Sequence, residues 1–109
     1  MARTLNRGEI WTYRFKAPDE RRPVLILTRN SALDFLGEVT VAPVTSTVRQ
    51  IPSEVRLTTA DGVRRDCAVN LDHLQTVQKQ RVGGLIATLS SGRMSEVQAA
   101  LLFALGFDR

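Results

Sequence analysis

Hydrophobic and polar positions change their period several times along the chain, and each change marks an element. "EIWTYRF" (9–15) alternates, with Trp11, Tyr13 and Phe15 on one face and Ile10, Thr12 and Arg14 on the other, which predicts a strand. "KAPDERR" replaces that pattern with turn-forming residues. "VLILT" (24–28) is a continuous apolar run of branched residues, the pattern of a central strand buried on both faces. "NSALDFLG" predicts one helical turn, capped by Asn30 or Ser31 and ended by Gly37. "EVTVAPV" (38–44) predicts the next strand, and Pro43 places its end at an edge or a bulge. A polar loop, "TSTVRQIPS", leads to strands "EVRL" and "DCAVNL", joined by the hairpin-like "TTADGVRR". A further strand is predicted over Gly84–Leu89.

The last segment, "SSGRMSEVQAALLFALG", switches to helical spacing. Ser90 is the expected N-cap and Gly106 the left-handed stop, with Met94, Val97, Leu101 and Leu105 on one stripe between them. Ala100, Leu102, Phe103 and Ala104 widen that stripe, enough to pack a core and also meet a partner subunit. The predicted architecture is a mainly β (α+β) single domain over 1–109. Short antiparallel strands curl into a small barrel that a C-terminal helix closes.

A length of 109 residues suits one modest core. No apolar run approaches the ~20 residues that span a bilayer, and "MARTLNRGE" holds no signal-like apolar region, so no membrane role and a cytoplasmic location are expected. Cys67 is the single cysteine, which excludes an internal disulfide and a cysteine cluster for zinc. No metal site and no cofactor are predicted.

Charge changes the picture more. Residues 1–65 carry 11 basic and 7 acidic side chains, whereas 66–109 carry 4 of each, so the whole excess lies in the first part. Ten of those 11 cations are arginine, whose planar fork suits phosphate. In "RRPVLILTRN" (21–30), Arg22 precedes Pro23 and is pushed into an extended conformation at the mouth of a buried strand. A side chain leaving so stiff a base is well aimed. "APVTST" (42–47) repeats the design: apolar residues deliver Thr45, Ser46 and Thr47, three hydroxyls able to donate to phosphate oxygens. Each stretch alone also fits an ordinary solvated loop end.

Together these stretches resemble the MazF/PemK family of toxin endoribonucleases from prokaryotic toxin–antitoxin pairs. "RGEIW" (7–11), "RRPVLILTRN", "VAPVTST", "IPSEV" (51–55), "RDCAVNLDHLQTV" (65–77) and "RVGGLIATLS" (81–90) follow in family order, ahead of the final helix. The resemblance implies an SH3-like barrel of the CcdB/PemK kind, a homodimer, and metal-independent cleavage of single-stranded RNA. It implies Arg22 and Thr45 as the catalytic pair, with Asp72 where relatives carry an acidic residue near the site. Asn70 stands where some members have an RNA-contacting arginine, and "KAPDERR" is shorter than the family's usual loop. The resemblance also implies an antitoxin whose flexible acidic tail folds onto the toxin.

Metal-free RNA cleavage turns the substrate's own 2′-OH on the adjacent phosphorus, so it needs a proton acceptor, charge stabilisation and a donor for the leaving oxygen. Arg22 fits the charge role and Thr45 adds a hydroxyl hydrogen bond. Glu20, Asp19 and Asp72 are the acid/base candidates, unranked. Arg21, Ser46, Thr47, Arg49, Asn70 and His73 are the expected RNA contacts. His73, the one histidine, cannot be both acid and base, so a pocket-edge or structural place suits it. Cys67 and Trp11 read as core, with a dimer contact also open to Trp11. The competing classes are a non-catalytic toxin on the same barrel, such as a CcdB-like gyrase poison, and a basic RNA-binding module. The gyrase poisons need a Trp-Gly-Ile ending, where this chain has "GFDR".

Overall fold

A computed structural model describes residues 4–15 and 21–108. Among the described residues the strands are β1 (Glu9–Arg14), β2 (Arg21–Ile26), β3 (Glu38–Thr45), β4 (Glu54–Leu57), β5 (Cys67–Asn70), β6 (Gln75–Gln78) and β7 (Val82–Thr88). The helices are α1 (Asn30–Leu33) and α2 (Ser91–Leu105), and 3-10 turns cover 59–61, 71–73 and 79–81. All pairings are antiparallel, in the order β4-β5-β3-β2-β1-β7. This is the expected mainly β class with a C-terminal helix. The described pairings form an open path, with β4 and β7 as its ends, rather than a closed ring.

β3 organises the sheet. One edge pairs with β2, and the other is divided between two partners. β6 takes Glu38 to Val41, and β5 takes Val44 and Thr45. Pro43 falls between these partners, so this proline sits inside a central strand where one ladder hands over to another, not at the sheet's edge.

The sheet packs on both faces because its central strands are apolar on both. Along β2 and just past its end, Val24 and Ile26 join one cluster while Leu25 and Leu27 join the other. The first cluster includes Leu33 of α1 and Val77 of β6, and the second includes Val97 and Ala100 of α2. Residues 24–27 of the apolar run are thus buried as expected, and Thr28 is half-buried. β1 is doubly buried as well: Ile10 faces the α2 side, and Trp11 and Tyr13 face the other. Trp11 is core, its Nε1–H donating to Glu9 Oε1 at 2.9 Å.

Several boundaries differ from expectation. β2 begins at Arg21, taking the arginine pair into the strand, and β7 begins at Val82. β6 was not expected, since "QTVQ" has one buried residue and no apolar run. Leu105 does not continue the buried stripe of α2 and is 52% exposed; Met94, Leu101 and Ala104 pack beside Val97 and Ala100 instead. Both caps are as expected: Ser90 Oγ accepts the Arg93 N–H, and Gly106 closes α2 at φ +81°.

Candidate active site

Antiparallel register decides what meets at the open end of β2. Val24 pairs with Pro43, Leu25 with Ala42 and Ile26 with Val41. Continuing that register by two residues sets Arg22 against Thr45. On the other side of β2, Arg22 pairs with Tyr13 of β1. The arginine therefore leaves from a strand gripped on its β1 edge, and its own side chain is exposed. Arg21, Arg22, Thr45, Ser46 and Thr47 all line one cleft of about 870 Å³.

Thr45 is prepared for donation. Its Oγ1 accepts the Thr47 backbone N–H at 3.0 Å, which fixes the hydroxyl oxygen and leaves its hydrogen to point elsewhere. More of the cleft wall comes from Thr12 of β1, Phe15 just beyond it, Gln75 of β6, Ile86 of β7 and the Arg64–Arg65 pair. No described carboxylate lines it. Its electrostatics are those of an anion receptor. A narrower hollow of about 310 Å³ shares Thr12 and Arg21 and continues past Arg14 and Arg81. There the Arg81 Nε–H donates to the Arg14 carbonyl at 2.9 Å, and its guanidinium lies 6.0 Å from the Tyr13 ring centre. A separate hollow of about 740 Å³ beside α1 mixes Asp34 and Glu38 with Lys79 and has no arginine–hydroxyl pair.

The other expected site residues stand apart from this cleft. Asn70 is buried; its Oδ1 accepts the Asp72 N–H at 2.9 Å and its Nδ2 lies 3.3 Å from His73 Nδ1. Asp72 Oδ2 accepts from Ser53 Oγ at 2.5 Å. These residues form one turn, which packs against α2 and β3, and none lines the cleft. Arg49 is in the loop between β3 and β4, its backbone N–H donating to Glu54 Oε1 at 2.9 Å. Asp19 and Glu20 lie outside the described residues.

Arg64 and Arg65 are the cleft residues that pattern reading passed over. They were visible as a double arginine after a turn, the same signal as Arg21–Arg22, but without a strand register nothing tied them to Thr45. Cys67 is buried as expected and also reaches the cleft lining. Burial pushes its thiol up from the ordinary value, and the charges of Asp61 and Asp66 add to that, so it stays protonated. Among the described residues no three His, Cys, Asp or Glu side chains converge.

Known proteins share the sequence and the fold of this chain. Over 104 residues the chain is 38% identical to the probable endoribonuclease MazF2 of Mycobacterium tuberculosis, covering 94% of this chain and 99% of that one. In three dimensions it matches the Mycobacterium tuberculosis toxin MazF-mt6 with a TM-score of 0.84 at 33% identity, over 93% of this chain and 99% of that one. A mycobacterial endoribonuclease in complex with its cognate antitoxin matches with a TM-score of 0.83 at 25% identity, over 94% and 95% of the two chains. Residues 6–105 match the family described as PemK-like, MazF-like toxin of type II toxin-antitoxin system, and the chain belongs to that family.

Proposed function

We propose that this chain is an endoribonuclease toxin that cuts single-stranded RNA at the Arg22–Thr45 cleft. The observation that carries this reading is the register of β2 on β3, which sets an exposed arginine against a threonine hydroxyl in a cleft without a described carboxylate. In the proposed step the 2′-oxygen forms a bond to phosphorus and the bond to the 5′-oxygen breaks. A 2′,3′-cyclic phosphate remains upstream and a 5′-OH downstream. Arg22 holds the non-bridging oxygens as charge builds on them, and Thr45 donates to the same group. The guanidinium stays protonated, since its pKa above about 12 leaves almost no neutral form to act as a base.

The proton acceptor is proposed to be Asp19 or Glu20, because Phe15 and Arg21, which bracket that segment in sequence, both line the cleft. Asp72 is the weaker choice, being engaged by Ser53 outside the cleft. The apolar residues left exposed on β7 and α2, among them Leu85, Leu102 and Phe103, support a homodimer. An antitoxin with an acidic, flexible tail is the fitting inhibitor, since it would present to the arginines the charge they hold for RNA. No described helix is long and apolar enough to cross a membrane.

The test is incubation of the purified protein with a long single-stranded RNA in EDTA. Discrete fragments are expected, and polynucleotide kinase should label the downstream fragment without prior dephosphorylation. Intact RNA, or downstream fragments with a 5′-phosphate, would overturn the reading. A gyrase poison or a passive RNA binder would leave the RNA whole.

A further inference from the structure

Some of the described arginines have side chains held by partners within the protein, and others do not. Arg56 pairs with Asp66 at 3.0 Å, and Arg93 pairs with Asp61 and Glu96 at 2.9 and 3.1 Å. Arg7 donates through Nε to the Leu27 carbonyl at 2.8 Å. Arg64 and Arg65 differ: among the described residues neither makes a hydrogen bond or an ion pair, and both line the cleft. The nearest carboxylate in sequence, Asp66, is drawn off by Arg56. Two positive charges thus face the cleft without local compensation.

Their backbone is held, although their side chains are exposed. The turn before them is closed by a capping box in which the Thr58 N–H donates to Asp61 Oδ2 at 2.8 Å. Arg93 of α2 grips both oxygens of that same carboxylate, at 2.9 and 3.1 Å. Gly62 follows at φ +94°, a conformation that suits glycine, and a Cβ there would lie 3.1 Å from the Ala87 Cβ. Val63 and Cys67 are then buried on either side of the pair. Arg64 and Arg65 therefore project from a short segment pinned at both ends.

We infer that Arg64 and Arg65 are RNA-positioning residues, the second cationic wall of the cleft, and that they bind phosphates flanking the one held by Arg22. The inference rests on the proposed RNA cleavage. At about 870 Å³ the cleft exceeds what a single phosphate fills, and unneutralised arginines on a fixed turn give an extended backbone a defined track. Contacts of this kind release counterions, and on a single strand each phosphate contact contributes about 0.7 to the slope of log K against log salt.

The experiment uses the whole chain and an RNA oligonucleotide spanning a mapped cleavage site, with 2′-deoxyribose at the attacking position. Fluorescence anisotropy over a salt series gives the slope. R64Q/R65Q should flatten it by about 1.4, each single variant by about 0.7, and R64K/R65K should retain it. Arg29, beyond the opposite end of β2, supplies the comparison: R29Q should keep the wild-type slope. On cleavable RNA, KM should rise in R64Q/R65Q by a larger factor than kcat falls. If wild-type protein cleaves RNA and R64Q/R65Q keeps its slope and KM, the inference is wrong and the proposed function stands. If wild-type protein neither cuts nor binds RNA, both fall together.

Discussion

The two ends of β5 carry polar residues of similar type and use them oppositely. At the Asn70 end, Asn70, Asp72, His73 and Ser53 turn toward one another. At the Cys67 end, Arg64 and Arg65 turn toward an open cleft. Burial separates Asn70 and Ser53 from the two arginines. A buried amide must find partners inside the protein, because an unpaired one costs a desolvation penalty of about 1–3 kcal/mol. An exposed guanidinium is solvated by water and can wait for a ligand at little cost. The first end is hydrogen-bonded within the protein, and the second is open to an anion.

The sharpest way to press this difference is to remove the cleft's central charge. Arg22→Ala should lower the single-turnover cleavage rate by about 10³–10⁵, the range found for arginines that meet phosphoryl transition-state charge. Its thermal unfolding midpoint should stay near wild type, since the side chain is exposed. Thr45→Ala should cost about 10²–10³ in kcat, the loss of one donor to the transition state. Thr45→Ser, which keeps the hydroxyl, should recover most of it. An Arg22→Ala protein that still cuts would remove the cleft from the chemistry altogether.

Asn70→Ala probes the opposite end and should invert the pattern. It leaves the Asp72 N–H and the His73 ring without their partner, so a loss of about 1–3 kcal/mol in stability is expected in denaturant unfolding. Cleavage per folded molecule should be retained. A stable Asn70→Ala that binds RNA poorly would move this residue to the RNA side, which is where its place in the family pattern suggested it.

The sequence reading succeeded where one physical rule dominates. The branched run 24–28 could only be a doubly buried strand, and Ser90 and Gly106 mark helix ends by local backbone chemistry. That Arg22 and Thr45 stand at strand ends and line one cleft was legible because an X–Pro step and a run of hydroxyls each end an apolar segment. What escaped depends on register. Nothing within "VRRDC" says that its arginines will lie across from "VTST"; that follows only once β5 pairs with β3 through Val44–Val69 and Thr45–Ala68. β6 escaped for a related reason: its four residues are a strand because β3 offers an edge, with Val77 alone buried. Sequence polarity alone made Asn70 an RNA-contact candidate and Asp72 an acid/base candidate, and it could show neither the burial of Asn70 nor the Ser53–Asp72 hydrogen bond.

The smallest expected effect belongs to the device that joins the two groups of arginines, the Asp61–Arg93 clamp. Asp61 is held below its ordinary value of 3.8, first by the hydrogen bond from Arg93 and then by the Thr58 N–H and the Arg93 charge, against the opposing pull of burial. A carboxyl whose pKa is lower in the folded chain than in the unfolded one gives stability that is present above the unfolded value. That stability is lost as pH falls through the folded value. The wild-type unfolding midpoint should therefore drop in acid partly through this group. Asp61→Asn should lose about 1 kcal/mol near neutrality, comparable to a helix cap, and the gap between it and wild type should close as pH falls from neutrality through the unfolded value of about 3.9 and below it. Asp66 supplies the contrast, since its ion pair with Arg56 is more than half exposed on both sides and such pairs contribute little. Asp66→Asn should show no comparable gap at any pH. If the Asp61→Asn gap stays constant across that range, the clamp acts through packing rather than charge. If it closes, the support beneath Arg64 and Arg65 is electrostatic, and RNA affinity in Asp61→Asn should weaken although residue 61 does not line the cleft.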